Sequence, residues 1–170
     1  MAGDRGFEDF VSARSQQLLR TAFLLTRDRA AAEDLLQTAL VKSWSAWGRI
    51  DDDPEPYVRT VLVNTYTSWW RRKWRGEVAT GELPDRPAGE HGAAVEDRLM
   101  LWDALGRLTR RQRAVIVLRY LEDLSEIETA RILGVTVGTV KSQASKALAA
   151  LRVDPSWSAD ATLSGGPQHG

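Results

Sequence analysis

Residues 76 to 95 carry Gly76, Gly81, Pro84, Pro87, Gly89 and Gly92, with no helical or strand period running through them. Such a stretch is hard to thread through a packed core. Its glycines and prolines interrupt every regular element, and its unpaired backbone groups need water. The chain must therefore bury its apolar residues in two short halves, each around a core of its own. Apolar residues make up 43% of the 170 positions, enough for two modest cores and too many for a disordered chain.

Both halves carry helical spacing, and strand-like alternation is sustained nowhere. Phe7, Phe10, Val11, Arg14, Leu18, Ala22 and Leu25 mark a first amphipathic helix to about Thr26. Asp28 is the expected N-cap of a second, whose apolar stripe is Leu35, Leu36, Ala39, Leu40, Ser43 and Trp47 and which Gly48 ends. Asp51-Asp52-Asp53-Pro54-Glu55-Pro56 forms a stiff acidic loop, its prolines opening a third helix to about Arg75. At about 100° per residue, Val58, Val61, Leu62, Thr65 and Trp69 fall on the face assigned to the core. Arg59, Thr60, Val63, Asn64, Thr67, Trp70, Arg71 and Trp74 fall on the other. In the second half come Leu99, Trp102 and Leu105, then Val115, Leu118 and Tyr120, then two shorter helices flanking Gly134. The expectation is an all-α chain of two small helical domains, 1–75 and 96–152, joined by a flexible acidic linker, 76–95, and followed by a disordered Ser/Gly/Pro-rich tail, 153–170.

Composition removes several kinds of chemistry. Without cysteine there are no disulfides, thiolate metal sites or cysteine nucleophiles. His91 and His169 stand in polar, Gly-rich surroundings, and the acids lie in loops and linker, so no metal, cofactor or catalytic site is expected. The N-terminus lacks a signal-peptide core, and runs such as Val115 to Leu118 are too short to span a bilayer. A cytoplasmic protein with no membrane partner and no small-molecule substrate is expected. Net charge is zero, but its distribution is not even. Arg59, Arg71, Arg72, Lys73 and Arg75 form a basic block, Glu77 to Asp97 an acidic one, and Arg98 to Arg119 a second basic one. The alternating blocks, not the net charge, give the useful electrostatic map.

The segment from Leu124 to Arg152 is the most specific. Ser125 can cap a helix with Glu128 as capping-box partner, Gly134 supplies the turn, Val135 plugs the core, and Thr136 caps the next helix. Val137, Val140, Ala144, Ala147 and Leu148 give that helix a buried face and leave Thr139, Lys141, Ser142, Ser145 and Lys146 outward. This is a helix-turn-helix pattern whose outward face offers hydrogen-bond donors and no acid, as phosphates and base edges require. Two short helices packed in a bundle would show the same apolar spacing.

Ser125 to Ser142, followed by Lys146-Ala147-Leu148, resembles region 4 of the extracytoplasmic-function (ECF) sigma factors, Leu-Ser-x-x-Glu-Ile-Ala-x-x-Leu-Gly-x-x-x-Gly-Thr-Val-Lys-Ser-Arg-x-x-Arg-Ala, and Leu108 to Arg113 resembles that family's Leu-Pro-x-x-x-Arg. Thr129 replaces an Ile of the pattern, and Gln143 and Lys146 replace arginines. Ala32 to Trp44 resembles region 2.2, Ala-Glu-Asp-Leu-Val-Gln-Glu-Thr-Phe-Leu-x-x-Trp, with Thr38 in place of a Glu. Tyr57 to Arg72 resembles regions 2.3 and 2.4, Trp-Leu-x-x-Ile-Ala-x-Asn-x-x-x-Asp-x-x-Arg-Arg, with Ser68 in place of the Asp. The resemblance implies a promoter-recognition subunit, not an enzyme, whose partners are core RNA polymerase and promoter DNA, with an anti-sigma protein left open. It assigns polymerase docking to Asp34, Gln37, Thr38 and Lys42. Reading and opening of the −10 element falls to Arg59, Asn64, Trp70, Arg71 and Arg72, with the loop Ile50 to Pro56 beside Asn64. Recognition of the −35 element falls to Thr139, Lys141, Ser142, Ser145 and Lys146. The rival readings are a free-standing helix-turn-helix regulator, which would bind DNA without polymerase, and a nucleic-acid enzyme, which would need clustered acids or histidines.

Overall fold

The computed structural model describes residues 2–74 and 93–152, and every regular element among them is helical. The chain divides into two compact units at about residue 85. The tail 153–170 and most of the Gly/Pro-rich stretch lie outside the described residues; helix begins again at Ala93, inside the span expected as linker.

The first unit holds α1 (Ala2–Thr26), α2 (Arg29–Ala46) and α3 (Pro54–Trp74). Arg27 takes a left-handed backbone, φ 56°, to reverse the chain. Asp28, in extended conformation, then accepts from Ala31 N and starts α2 as expected. α2 packs against both other helices, and α1 also meets α3. Phe10, Leu18, Ala22 and Leu25 close on Ala32, Leu35, Leu36 and Ala39, and on Val58, Leu62, Val63 and Tyr66. α2 does not end in a glycine cap. Gly48 lies within a 3-10 turn, Trp47–Arg49, and its φ is not positive. Asp53 Oδ1 accepts from Glu55 N at 3.1 Å and caps α3 at Pro54, whose missing N–H falls where no helical partner exists.

The face assignment of α3 needs correction. Val63, placed outward by the helical wheel, is fully buried; Val61 and Trp69, placed in the core, are only partly buried. A helix flanked by two others has a wide buried arc, and a single-stripe wheel underestimates it.

The second unit holds α4 (Ala93–Gly106), α5 (Arg110–Ile116), α6 (Glu126–Leu133) and α7 (Val137–Arg152). α5 opens with a Thr109–Gln112 capping box and runs into a π-turn, Val117–Leu121, that keeps Ala114 to Leu118 buried without a break. Trp102, Leu105 and Leu108 are buried in the same unit. Arg113, counted above in a basic block, is 9% exposed. Its guanidinium donates to the carbonyls of Leu105 at 3.0 Å and Leu108 at 3.3 Å, sealing the end of α4. It contributes structure there, not surface charge.

Candidate nucleic-acid interface

The helix-turn-helix forms through the local signals expected of it. Ser125 and Glu128 make a reciprocal capping box, at 3.1 and 2.8 Å. Gly134 ends α6 in the left-handed region, φ 66°, where a side chain would be strained. Thr136 Oγ1 accepts from Thr139 N at 3.1 Å and starts α7. Val115, Ala130 and Val140 form the buried centre, with Leu133, Val135, Val137 and Ala144 packed around it. This core turns Lys141, Ser142, Ser145 and Lys146 to solvent, all exposed and on neighbouring turns of α7. Thr139 is half-buried and its hydroxyl lies 2.9 Å from that of Thr136, so it belongs to the cap as much as to the face. Lys141 is not free: its Nζ lies 3.7 Å from Glu126 Oε2 on α6.

α3 presents a different surface. Leu62, Val63, Thr65 and Tyr66 are buried, and Asn64 among them is exposed, an amide held outward by buried neighbours on both sides. Arg71 and Arg72 are exposed about two turns further on, and Trp70 is half-buried. Arg72 donates to Ser68 Oγ at 3.2 Å. A hydroxyl leaves the guanidinium charge uncompensated where the family's Asp would cancel it. The side chain of Trp74 lies outside the described ones. Arg59 stands apart from this set. Its guanidinium meets Glu55 at 3.2 Å, and Glu55 also meets Arg14 of α1 at 3.4 Å. With the side chains of Arg59 and Glu55 each 16% exposed, this trio ties the acidic loop's end to α1.

On α2, Asp34 and Gln37 are exposed and Thr38 is half-buried, its hydroxyl donating to Asp34 O at 2.8 Å. Lys42 reaches from α2 to α3, where Nζ donates to Thr65 Oγ1 at 3.3 Å, next to Asn64 in sequence. Beside this row Val41 and Trp44 are exposed, 69% and 45%, and Trp44 stacks edge-on against Phe7 of α1. Sequence reasoning missed that apolar patch, although the apolar excess of α2 outside its buried stripe signals it. It also missed the Glu55 trio, of which only the Glu55–Arg59 spacing is visible locally.

The sigma-70 region 2 family matches residues 10–76 and the sigma-70 region 4 family matches residues 98–151. The RNA polymerase sigma-E factor of Streptomyces coelicolor is 44% identical over 148 residues, covering 86% of this chain and 84% of that protein. The chain belongs to the ECF sigma factors. The ECF RNA polymerase sigma factor SigL of Mycobacterium tuberculosis is 33% identical, over 80% of this chain and 81% of its own. Among solved structures, the sigma factor RpoE of Bartonella quintana, in complex with the anti-sigma factor NepR, matches with a TM-score of 0.68 at 25% identity, over 88% of this chain and 96% of that one. Both sigma regions occur here in one chain and in order, which separates this sigma factor from a free-standing helix-turn-helix regulator.

Proposed function

We propose that this sigma factor divides promoter recognition among three helices. α2 docks on core RNA polymerase through Asp34, Gln37, Thr38 and Lys42, α3 holds unpaired bases of the −10 element, and α7 reads the −35 duplex with Thr139, Lys141, Ser142, Ser145 and Lys146. The observation that carries the reading is the isolation of Asn64. An exposed amide fixed between buried neighbours can donate and accept at a base edge without reorganising, and the Arg71 and Arg72 charges supply phosphate anchors on the same helix. Strand opening is then driven by binding energy, with the bases trapped once unpaired. The reading needs no cofactor, metal or small-molecule substrate and no catalytic group in this chain. It places the protein in the cytoplasm with polymerase, and no helix among the described residues is long and apolar enough to cross a membrane. The complex of the RpoE relative with NepR supports an anti-sigma protein as a further partner.

Permanganate footprinting of unpaired thymines, with purified core polymerase, tests the reading. Wild type should open its promoter. Asn64→Ala should bind core unchanged yet open the paired template about tenfold less, the size of one lost edge contact, roughly 1.4 kcal/mol. A template mismatched across the −10 element should recover part of the loss. Equal thymine reactivity for wild type and variant on paired DNA removes Asn64 from the site, and no opening by wild type on any promoter removes the reading itself.

A further inference from the structure

α7 carries no acid, yet a counter-charge stands beside it. Glu126, in the first turn of α6, brings Oε2 to 3.7 Å from Lys141 Nζ. The other acid of α6, Glu128, is turned back onto Ser125 N at 2.8 Å. Glu126 is a carboxylate that meets the outward face of the reading helix. It occupies an unspecified position of the family pattern. The pair is open, with side-chain exposures of 64% for Lys141 and 36% for Glu126, and its length exceeds a hydrogen bond. Pairs of this kind contribute little to stability. Their effect is on charge.

We propose that Glu126 is a specificity-determining residue of the −35 reader, acting through Lys141 to suppress binding to arbitrary duplex. The proposal rests on α7 being that reader. Non-cognate binding is held almost wholly by neutralised phosphates. Lys141 drawn to a phosphate brings that phosphate beside Glu126, whose carboxylate repels it and offsets the neutralisation. At a cognate site the N-terminal half of the reading helix approaches base edges. An ammonium has three donors, so Lys141 can donate to a guanine edge while keeping Glu126. Ser142 and Ser145 contribute there regardless of charge. Glu126 therefore penalises wrong sequences more than the right one, which is how a repulsive element produces specificity.

The test uses the full chain assembled with core polymerase, a promoter selected by the wild-type holoenzyme, and the same fragment with its −35 element scrambled. Glu126→Gln keeps the shape of the side chain and removes its charge. The expected result is several-fold tighter binding to the scrambled fragment, a salt dependence there steeper by about 0.9 units, and binding to the intact promoter within about twofold of wild type. In a Lys141→Gln background the same substitution should lose most of its effect, which a merely structural role of Glu126 would not produce. Equal gains on both fragments, or no gain on either, overturn the proposal. If wild type itself fails to prefer the intact −35 element, the assignment of α7 falls and this inference falls with it.

Discussion

α3 and α7 are the two helices assigned to DNA, and they prepare for it in opposite ways. α7 leans on its unit with one side, and the polar residues of its other side stand open in a row. α3 is packed by two helices, and much of its polar chemistry is already committed: Arg59 to Glu55, Thr65 to Lys42, Arg72 to Ser68. Asn64 is what remains presented from its centre. A duplex reader gains from several adjustable donors on an open face, because register along a groove is set by many weak contacts. A site for an extruded base gains from one group held rigidly, because the base arrives without the stack to orient it.

If that contrast is right, Arg59 is a strut and not a DNA contact. Arg59→Met should leave Glu55, 16% exposed, with only Arg14 at longer reach, destabilising the first unit by roughly 2 kcal/mol. Amide hydrogen exchange on the full chain should show protection lost across α1 to α3 and kept across α4 to α7. Unchanged protection together with weaker promoter binding would return Arg59 to the DNA face.

The second unit has a weak point of its own, inside the core. Thr129 is fully buried and its Oγ1 has no hydrogen-bond partner among the described residues. Burying a hydroxyl unpaired is unfavourable, so Thr129→Val should stabilise the second unit by about 1 kcal/mol, read as increased exchange protection in α5 to α7. Reduced protection would mean that the hydroxyl is satisfied after all. DNA binding through α7 should hardly change, because the open face does not depend on this side chain.

The contrast also explains what could be read from sequence. The helix-turn-helix is built from local signals, Ser125 with Glu128, Gly134 and Thr136, each acting within a few residues, and the structure has each of them. The outward face of α7 follows once the caps fix its phase. α3 departs from its helical wheel at Val63, Val61 and Trp69 because its exposure is decided by α1 and α2, which no spacing within α3 encodes. The same reason hid Arg113, whose burial depends on the end of α4, and the reach of Lys42 to Thr65. Charge could be counted from the sequence, but whether a charge faces water or a carbonyl could not.

The smallest expected effect is the one that tests whether the open face of α7 is electrostatic. Among the described residues, Lys146 is exposed and engaged in no hydrogen bond or ion pair, whereas Lys141 shares its charge with Glu126. Replacing Lys146 should therefore leave folding untouched, and the melting of the chain should not shift measurably. It stands where the family carries an arginine, and a lysine meets phosphate as a point charge without the bidentate fork. Lys146→Ala should then weaken binding to intact and scrambled −35 fragments alike, and flatten the salt dependence of each by about 0.9 units. Glu126→Gln, by contrast, is expected to act on the scrambled fragment far more than on the intact one. The two substitutions thus separate a charge that adds affinity everywhere from one whose restraint adds discrimination. A loss confined to the intact fragment, with the salt slope unchanged, would instead make Lys146 a reader of base edges, and α7 would then recognise sequence along its whole exposed length.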